Sequence, residues 1–459
     1  MKRILSIVSS LLGLLALGVL VAILVLTFRG LEGEVEPTFQ SSPVAIETET
    51  SPSSSLPETL TPSSPPVTPT ALATSVSLCT FAGHPATIEP GPPLDAFIFS
   101  EPQVVLTHTS AIGIAGWLPD GERLLITRDI PGTNRQTIET FNTRTGEIQV
   151  YAQREGANGK PVWLLTLGAV AYTTLAEGHP ELWISQSPQQ GERVALDVQG
   201  LSLAVEPDGK HLWYFSRANP TRPQRLNVGT GAIRQASLDF ASLLYPKPGL
   251  EWVMRNRSPG FRMVWHPEGS KVVLYSQFWT FLLDTRTNQV CELELGEFVP
   301  ERMDIPPWAL EAQWSPNGRY LAFITTDNLN APFRRTELTI LDMGTGEWQT
   351  LSPGPDLEPG QHYVYDIAWA SNSQQLITLA QTGTSQGRPI QKLYLIDVLT
   401  RDSRQVMPDH AFGGGAIEGW QLAWSPKGQI LAIKCPTWLE TEPTIVEDRI
   451  CLIAVILKP

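Results

Sequence analysis

The sequence predicts an all-β protein built as a β-propeller. Three observations carry this: a composition rich in turn formers and aromatics, a recurring turn-and-strand unit, and the absence of helical periodicity after residue 30. The 459 residues include 36 Gly, 39 Pro and 14 Trp, while only 17% are charged. Such a chain has many turns and few charged helical faces.

The recurring unit is explicit in GWLPDGERLLIT from Gly116, AVEPDGKHLWYFS from Ala204, VWHPEGSKVVLYS from Val264, QWSPNGRYLAFIT from Gln313, AWASNSQQLITLA from Ala368 and AWSPKGQILAIKC from Ala423. VWLLTLGAVAYTTL from Val162 is a weaker copy. The copies lie about 40–60 residues apart, the length of a propeller blade with its loops. In each, an apolar strand ends in Trp or its substitute. A Pro-Asp-Gly type turn follows, in which Pro fixes φ and Gly accepts φ > 0. A second strand comes next, then a third that runs into Asp-Thr-Gly type turns, as in LTILDMGTGE from Leu338, and then a fourth. Four antiparallel strands per copy make one blade.

This unit resembles the WD40-like (PD40) repeat of TolB-type β-propellers, best at Trp314–Gly318 and Trp424–Gly428. The resemblance covers about residues 100–459 and implies the fold; the same repeat serves binding proteins and enzymes, so it implies no single activity. Seven blades are expected within residues 79–459, with six or eight as the alternatives. The last copy is one strand short, and a strand near Val104–Thr107 is expected to complete it and close the ring, which protects sheet edges.

Four cysteines are present, with no CxxC pair, so no zinc site is expected. Cys435 ends the second strand of the last copy and Cys451 begins its third, which predicts a disulfide between them. Cys79 and Cys291 remain, and the sequence does not fix whether they pair.

Residues 1–3 carry Lys2 and Arg3, and Ile4 to Phe28 contains no charge. Twenty-five helical residues span roughly 37 Å, enough to cross a bilayer core of about 30 Å. Residues 4–28 are therefore expected to be a transmembrane helix that acts as an uncleaved signal anchor. No Lys or Arg lies between Arg29 and Arg123. The positive-inside rule then puts the N-terminus in the cytoplasm and the C-terminal domain outside, a single-pass topology. Residues 29–78 are dominated by Ser, Thr, Pro and Glu, which cannot build a core, and are expected to form a disordered linker.

The net charge of −13 argues against nucleic acid as a partner. The unequal loops are the functional clue. Links between second and third strands, and between one blade and the next, are the long ones, and both classes emerge on one face. Trp252, Arg255, Arg257, Trp308, Arg334, Arg335, Tyr363, His410 and Trp438 lie in or beside them. Trp, Tyr and Arg on scaffolded loops are the usual anchors of interfaces. The expected function is a membrane-anchored extracytoplasmic interaction module for an envelope protein, peptide or glycan. The alternative is a glycan hydrolase or lyase whose carboxylates converge at the central mouth, with Glu301, Asp304, Asp356, Glu358 and Asp409 in suitable loops. No catalytic residue, metal ligand or cofactor is expected. Gly383–Gly387 fits G-x-S-x-G but lies in a polar hairpin, whereas a nucleophile elbow needs a strand-to-helix turn. His266 and His211 are expected at the surface, in or after repeat turns.

Overall fold

A computed structural model describes residues 90–156, 159–199, 203–236, 240, 260–276, 279–293, 295, 308–326, 336–354, 363–385, 388–412, 420–438 and 445–458. One compact unit spans Ala73–Pro459. The expected transmembrane helix and nearly all of the expected linker belong to a separate unit, Met1–Leu72, and lie outside the described residues. Among the described residues no helix is long and apolar enough to cross a membrane.

The described strands form seven antiparallel sheets. Blade 1 comprises Ile112–Trp117, Arg123–Asp129, Arg135–Asn142 and Ile148–Glu155. The weak copy at Val162 is a full blade 2, with Val162–Leu164, Ala169–Ala176, His179–Ser185 and Gly191–Ala195. Blade 3 starts at Ala204–Val205, blade 4 at Arg262–Trp265, blade 5 at Trp308–Trp314 and blade 6 at Tyr363–Trp369. First strands of consecutive blades touch, from blade 2 round to blade 7 and on to blade 1, so they form the inner wall of the ring.

Blade 7 is composite. Leu422–Trp424, Ile430–Lys434 and Ile445–Leu457 come from the C-terminus. Gln103–His108 pairs with Ile445–Leu457 and supplies the missing outer strand, in the segment where the sequence places it. Phe97–Phe99 continues that edge by pairing with Val455–Leu457, an addition with no copy of the repeat to announce it.

The core is distributed. Among the described residues each of the seven blade interfaces holds one hydrophobic cluster. The repeat Trp has a defined job there. Trp117, Trp314 and Trp369 each donate their indole N–H to an inner-strand carbonyl of the preceding blade, those of Ala423, Val264 and Gln313, at 3.0–3.3 Å. Each ring thus fills an interface and ties two inner strands together. The turn glycine is equally physical: Gly318 has φ +74°, and Ser373 holds the equivalent turn at φ +65° in the degenerate copy.

His266 corrects the surface expectation. It is 1% exposed, packs edge-on against Trp314 at 4.8 Å, and faces the carbonyl of Gly318 across the blade 4–5 interface. The turns of adjacent blades abut, so a residue in one turn is covered by the next.

Cys435 and Cys451 form a disulfide with Cα atoms 5.9 Å apart. Cys291 is also disulfide-bonded; Cys79 lies outside the described residues. The Cys435–Cys451 bond closes a loop with a sequence separation of 16, for which chain entropy gives about 3 kcal/mol. A Cys435→Ser/Cys451→Ser variant is expected to lose 2–4 kcal/mol. Chemical denaturation of oxidised wild type against the variant checks this, and an unchanged midpoint would contradict it.

Candidate functional site

Antiparallel blades put the end of the second strand and the start of the first at one face. Two hairpins are raised there, on adjacent blades. In blade 6 the second and third strands, Gln375–Ser385 and Arg388–Asp397, have 11 and 10 residues, against 5 and 5 for Lys271–Tyr275 and Thr280–Asp284 in blade 4. At about 3.3 Å per residue the excess is roughly 15–20 Å over blade 4 and roughly 7–13 Å over blades 1, 2 and 5, whose second and third strands have 7 or 8 residues. In blade 7 Thr437–Trp438 pairs with Glu447 and Ile445, beyond the end of Ile430–Lys434. The disulfide sits where this extension leaves the blade: Cys451 is opposite Ile433 on one side and Val104 on the other.

The residues expected on this face divide as follows. Trp438 is half-buried on the blade 7 hairpin. Tyr363 is half-buried at the start of the blade 6 inner strand, with its ring 6.5 Å from that of Tyr365. His410 stacks on Phe412 and meets Glu101 at 3.2 Å, which ties the link between blades 6 and 7 to the chain that leads into the closing strand. Trp308 opens the blade 5 inner strand. Trp252, Arg255, Arg257, Arg334 and Arg335 lie outside the described residues. So do Glu301, Asp304, Asp356 and Glu358, while Asp409 is exposed. Ser385 of the G-x-S-x-G match lies on a blade hairpin, opposite Arg388, and has no strand-to-helix turn.

A second feature lies inside the ring. Three residues before the repeat Trp stand Arg262, Glu311, Asp366 and Ile114 on the inner strands of blades 4, 5, 6 and 1, and Lys160 and Gln421 just ahead of those of blades 2 and 7. Side chains along a strand alternate faces, so equivalent positions form one layer around the axis. Contacts establish it: the Lys160 ammonium of blade 2 lies 3.3 Å from Glu311 of blade 5, which only a contact across the central channel allows. Gln313 donates to the same Glu311 oxygen at 3.1 Å. Arg262 donates to the carbonyl of Leu310 and bonds the phenol of Tyr275.

Asp366 is fully buried and fully engaged. Oδ2 accepts the backbone N–H groups of Gln421 and Leu422 at 2.7 and 2.9 Å, and Oδ1 that of Ile367 at 2.9 Å. These bonds lock blade 6 to blade 7 and leave Asp366 no role as a free general base. Burial, reinforced by the neighbouring Glu311 carboxylate, pushes its carboxyl up to about 7, against the opposing pull of Lys160 and the three N–H groups. Burial works to lower the Lys160 ammonium, but Glu311 and Asp366 outweigh it and hold Lys160 above its ordinary value.

A raised carboxyl binds its proton more tightly folded than unfolded, so its stabilising contribution is complete below about pH 4 and is lost as pH rises towards 7. Asp366→Asn cannot ionise. The stability of wild type relative to Asp366→Asn is therefore expected to fall between pH 4 and pH 7, read from urea midpoints across that range. A difference that stays flat or grows would contradict the raised carboxyl.

Glu206, Asp208 and His211 of blade 3 bring three metal-type ligand atoms within 4.8 Å of one another. Arg225 grips Glu206 through both carboxylate oxygens at 2.6 and 2.9 Å, and Trp213 donates to it at 2.5 Å. Those contacts spend the carboxylate on bracing the turn. His211 is correspondingly half-buried, not a free surface residue as its place after the turn suggests.

No family model and no curated protein matches the chain. Among solved structures it is similar to the β-propeller domain of Cps50 (Swd1) from Myceliophteria thermophila, at 13% identity over 75% of this chain and 96% of that one, TM-score 0.45. It is also similar to TolB from Acinetobacter baumannii, at 15% identity over 71% and 78%, TM-score 0.37. The count of seven blades rests on this chain's own sheets.

Proposed function

We propose that this chain is an extracytoplasmic interaction module, held at a membrane by residues 4–28, that docks an envelope protein, peptide or glycan on its long-loop face. The observation that carries the reading is the pair of raised hairpins on blades 6 and 7, one of them stapled at its base by Cys435–Cys451. Strand-paired projections offer contact area without a large ordering cost. Disulfides persist in oxidising compartments, which supports an exported propeller, as does the basic flank of the apolar run.

The test is affinity capture from membranes with the full chain, against a variant whose blade 6 hairpin is cut back to the length of blade 4's. The proposal expects the captured set to shrink while the propeller stays folded. Equal capture by both would overturn it.

A further inference from the structure

We infer that the axial layer of the channel is a binding site for a singly charged carboxylate, with Lys160 and Arg262 as its anchors. This goes beyond the docking face and stands whether or not the raised hairpins hold a partner.

The inference rests on an asymmetry of burial. The layer holds two cations and two carboxylates, but not at equal depth. Asp366 is 0% exposed and Glu311 9%. The Lys160 side chain is enclosed by the ring, which desolvates it, but keeps 33% of its surface open against 11% for the Glu311 side chain, and Arg262 is also only partly covered. In a chain of net charge −13, what the channel offers an entering ligand is therefore positive.

Both cations also have donors to spare. An ammonium has three N–H groups, and among the described residues Lys160 meets one acceptor, at the long distance of 3.3 Å. A guanidinium has five. Arg262 gives its described bonds to the Leu310 carbonyl and to Tyr275, and Tyr275 lies close enough to Lys160 and Glu311 to join the same cluster.

The carboxylates behind set the charge of the ligand. A cation at Glu311 would lie beside the Lys160 ammonium, 3.3 Å from that carboxylate, and be repelled by it. A dianion such as phosphate would face Glu311 and Asp366 at short range, where like charges cost most. A carboxylate carries one charge and takes two or three N–H donors in its plane, which suits the pair. It can arrive as a free acid or as a side chain or terminus of a peptide.

The experiment uses the purified full chain and isothermal titration. The probes are sodium acetate, and acetyl-Gly-Glu-Gly-amide, whose one charge is a peptide side chain; inorganic phosphate and methylammonium are the controls. At least one carboxylate is expected to bind saturably, and more tightly than either control. The tighter of the two names the source.

Glu311→Gln frees the Lys160 ammonium and is expected to strengthen carboxylate binding several-fold, a gain that a purely structural ion pair does not predict. Lys160→Met/Glu311→Gln removes both partners of the ion pair together, so it tests the anchor without leaving Glu311 alone. It is expected to bind at least tenfold more weakly than Glu311→Gln, the scale of one charge-assisted hydrogen bond. The inference is overturned if neither carboxylate binds with a Kd below about 100 mM. It is equally overturned if phosphate or methylammonium binds as well, if Glu311→Gln binds no tighter than wild type, or if the double variant binds like Glu311→Gln.

Discussion

Deleting residues 97–108 from the full chain, which joins residue 96 to 109, is expected to open the ring and abolish cooperative folding. Three consequences converge. Ile445–Leu457 loses its outer partner along both Gln103–His108 and Phe97–Phe99, so its backbone becomes an unpaired edge. Phe97 leaves the cluster between blades 6 and 7, where its ring packs edge-on to Trp424 at 6.3 Å, and Leu106 leaves the cluster between blades 7 and 1. Losing one buried Phe and one buried Leu costs about 5–10 kcal/mol, comparable to the whole stability of a typical domain. An exposed sheet edge also invites association. The deletion should appear as soluble oligomers or aggregate in size-exclusion chromatography, with a broad thermal transition. A monomer with a wild-type transition would show that the N-terminal strands do not close the ring.

Gly318→Ala is the single substitution with the largest expected effect. Its φ of +74° is strained for any residue with a Cβ. The added methyl would also overlap the imidazole of His266, which is 1% exposed and cannot swing into solvent. Backbone strain of about 1–2 kcal/mol adds to overpacking of about 1–3 kcal/mol, so a loss of roughly 2–5 kcal/mol is expected. Gly146→Ala is the control: φ is +75°, but nothing lies within 4 Å of the added Cβ. It should cost only the backbone share. Denaturant midpoints of the two variants separate strain from overlap, and equal losses would contradict the packing described for His266.

The fold was legible because its determinants are local and repeated. Trp and the turn Gly recur in register: Trp117, Trp314 and Trp369 each make an inter-blade bond, and the turn Gly takes a left-handed φ. The copy at Val162 lacks both the Pro and the turn Gly in register, yet its apolar Val162–Leu164 and Ala169–Ala176 suffice for a blade. Phe97–Phe99 was not legible, since a closing strand owes its place to a partner more than 300 residues away.

The axial layer was missed for a different reason. Arg262, Glu311 and Asp366 each look like an ordinary polar residue shortly before the repeat Trp. Only alignment of the copies on their Trp shows that the same position, three residues earlier, is polar in blade after blade. For His266, one turn read alone cannot show that the neighbouring turn, at Gly318, covers it.

An interaction module of this kind meets its partner on the long-loop face. Photo-crosslinking in intact cells tests this most directly, with the reactive group placed at Trp438 or Tyr363 on the long-loop face and at Thr345 or Thr230 in turns of the opposite face. Discrete crosslinked products are expected from Trp438 and Tyr363 and none from Thr345 and Thr230. Products from the opposite face alone, or an equal pattern from both, would contradict it.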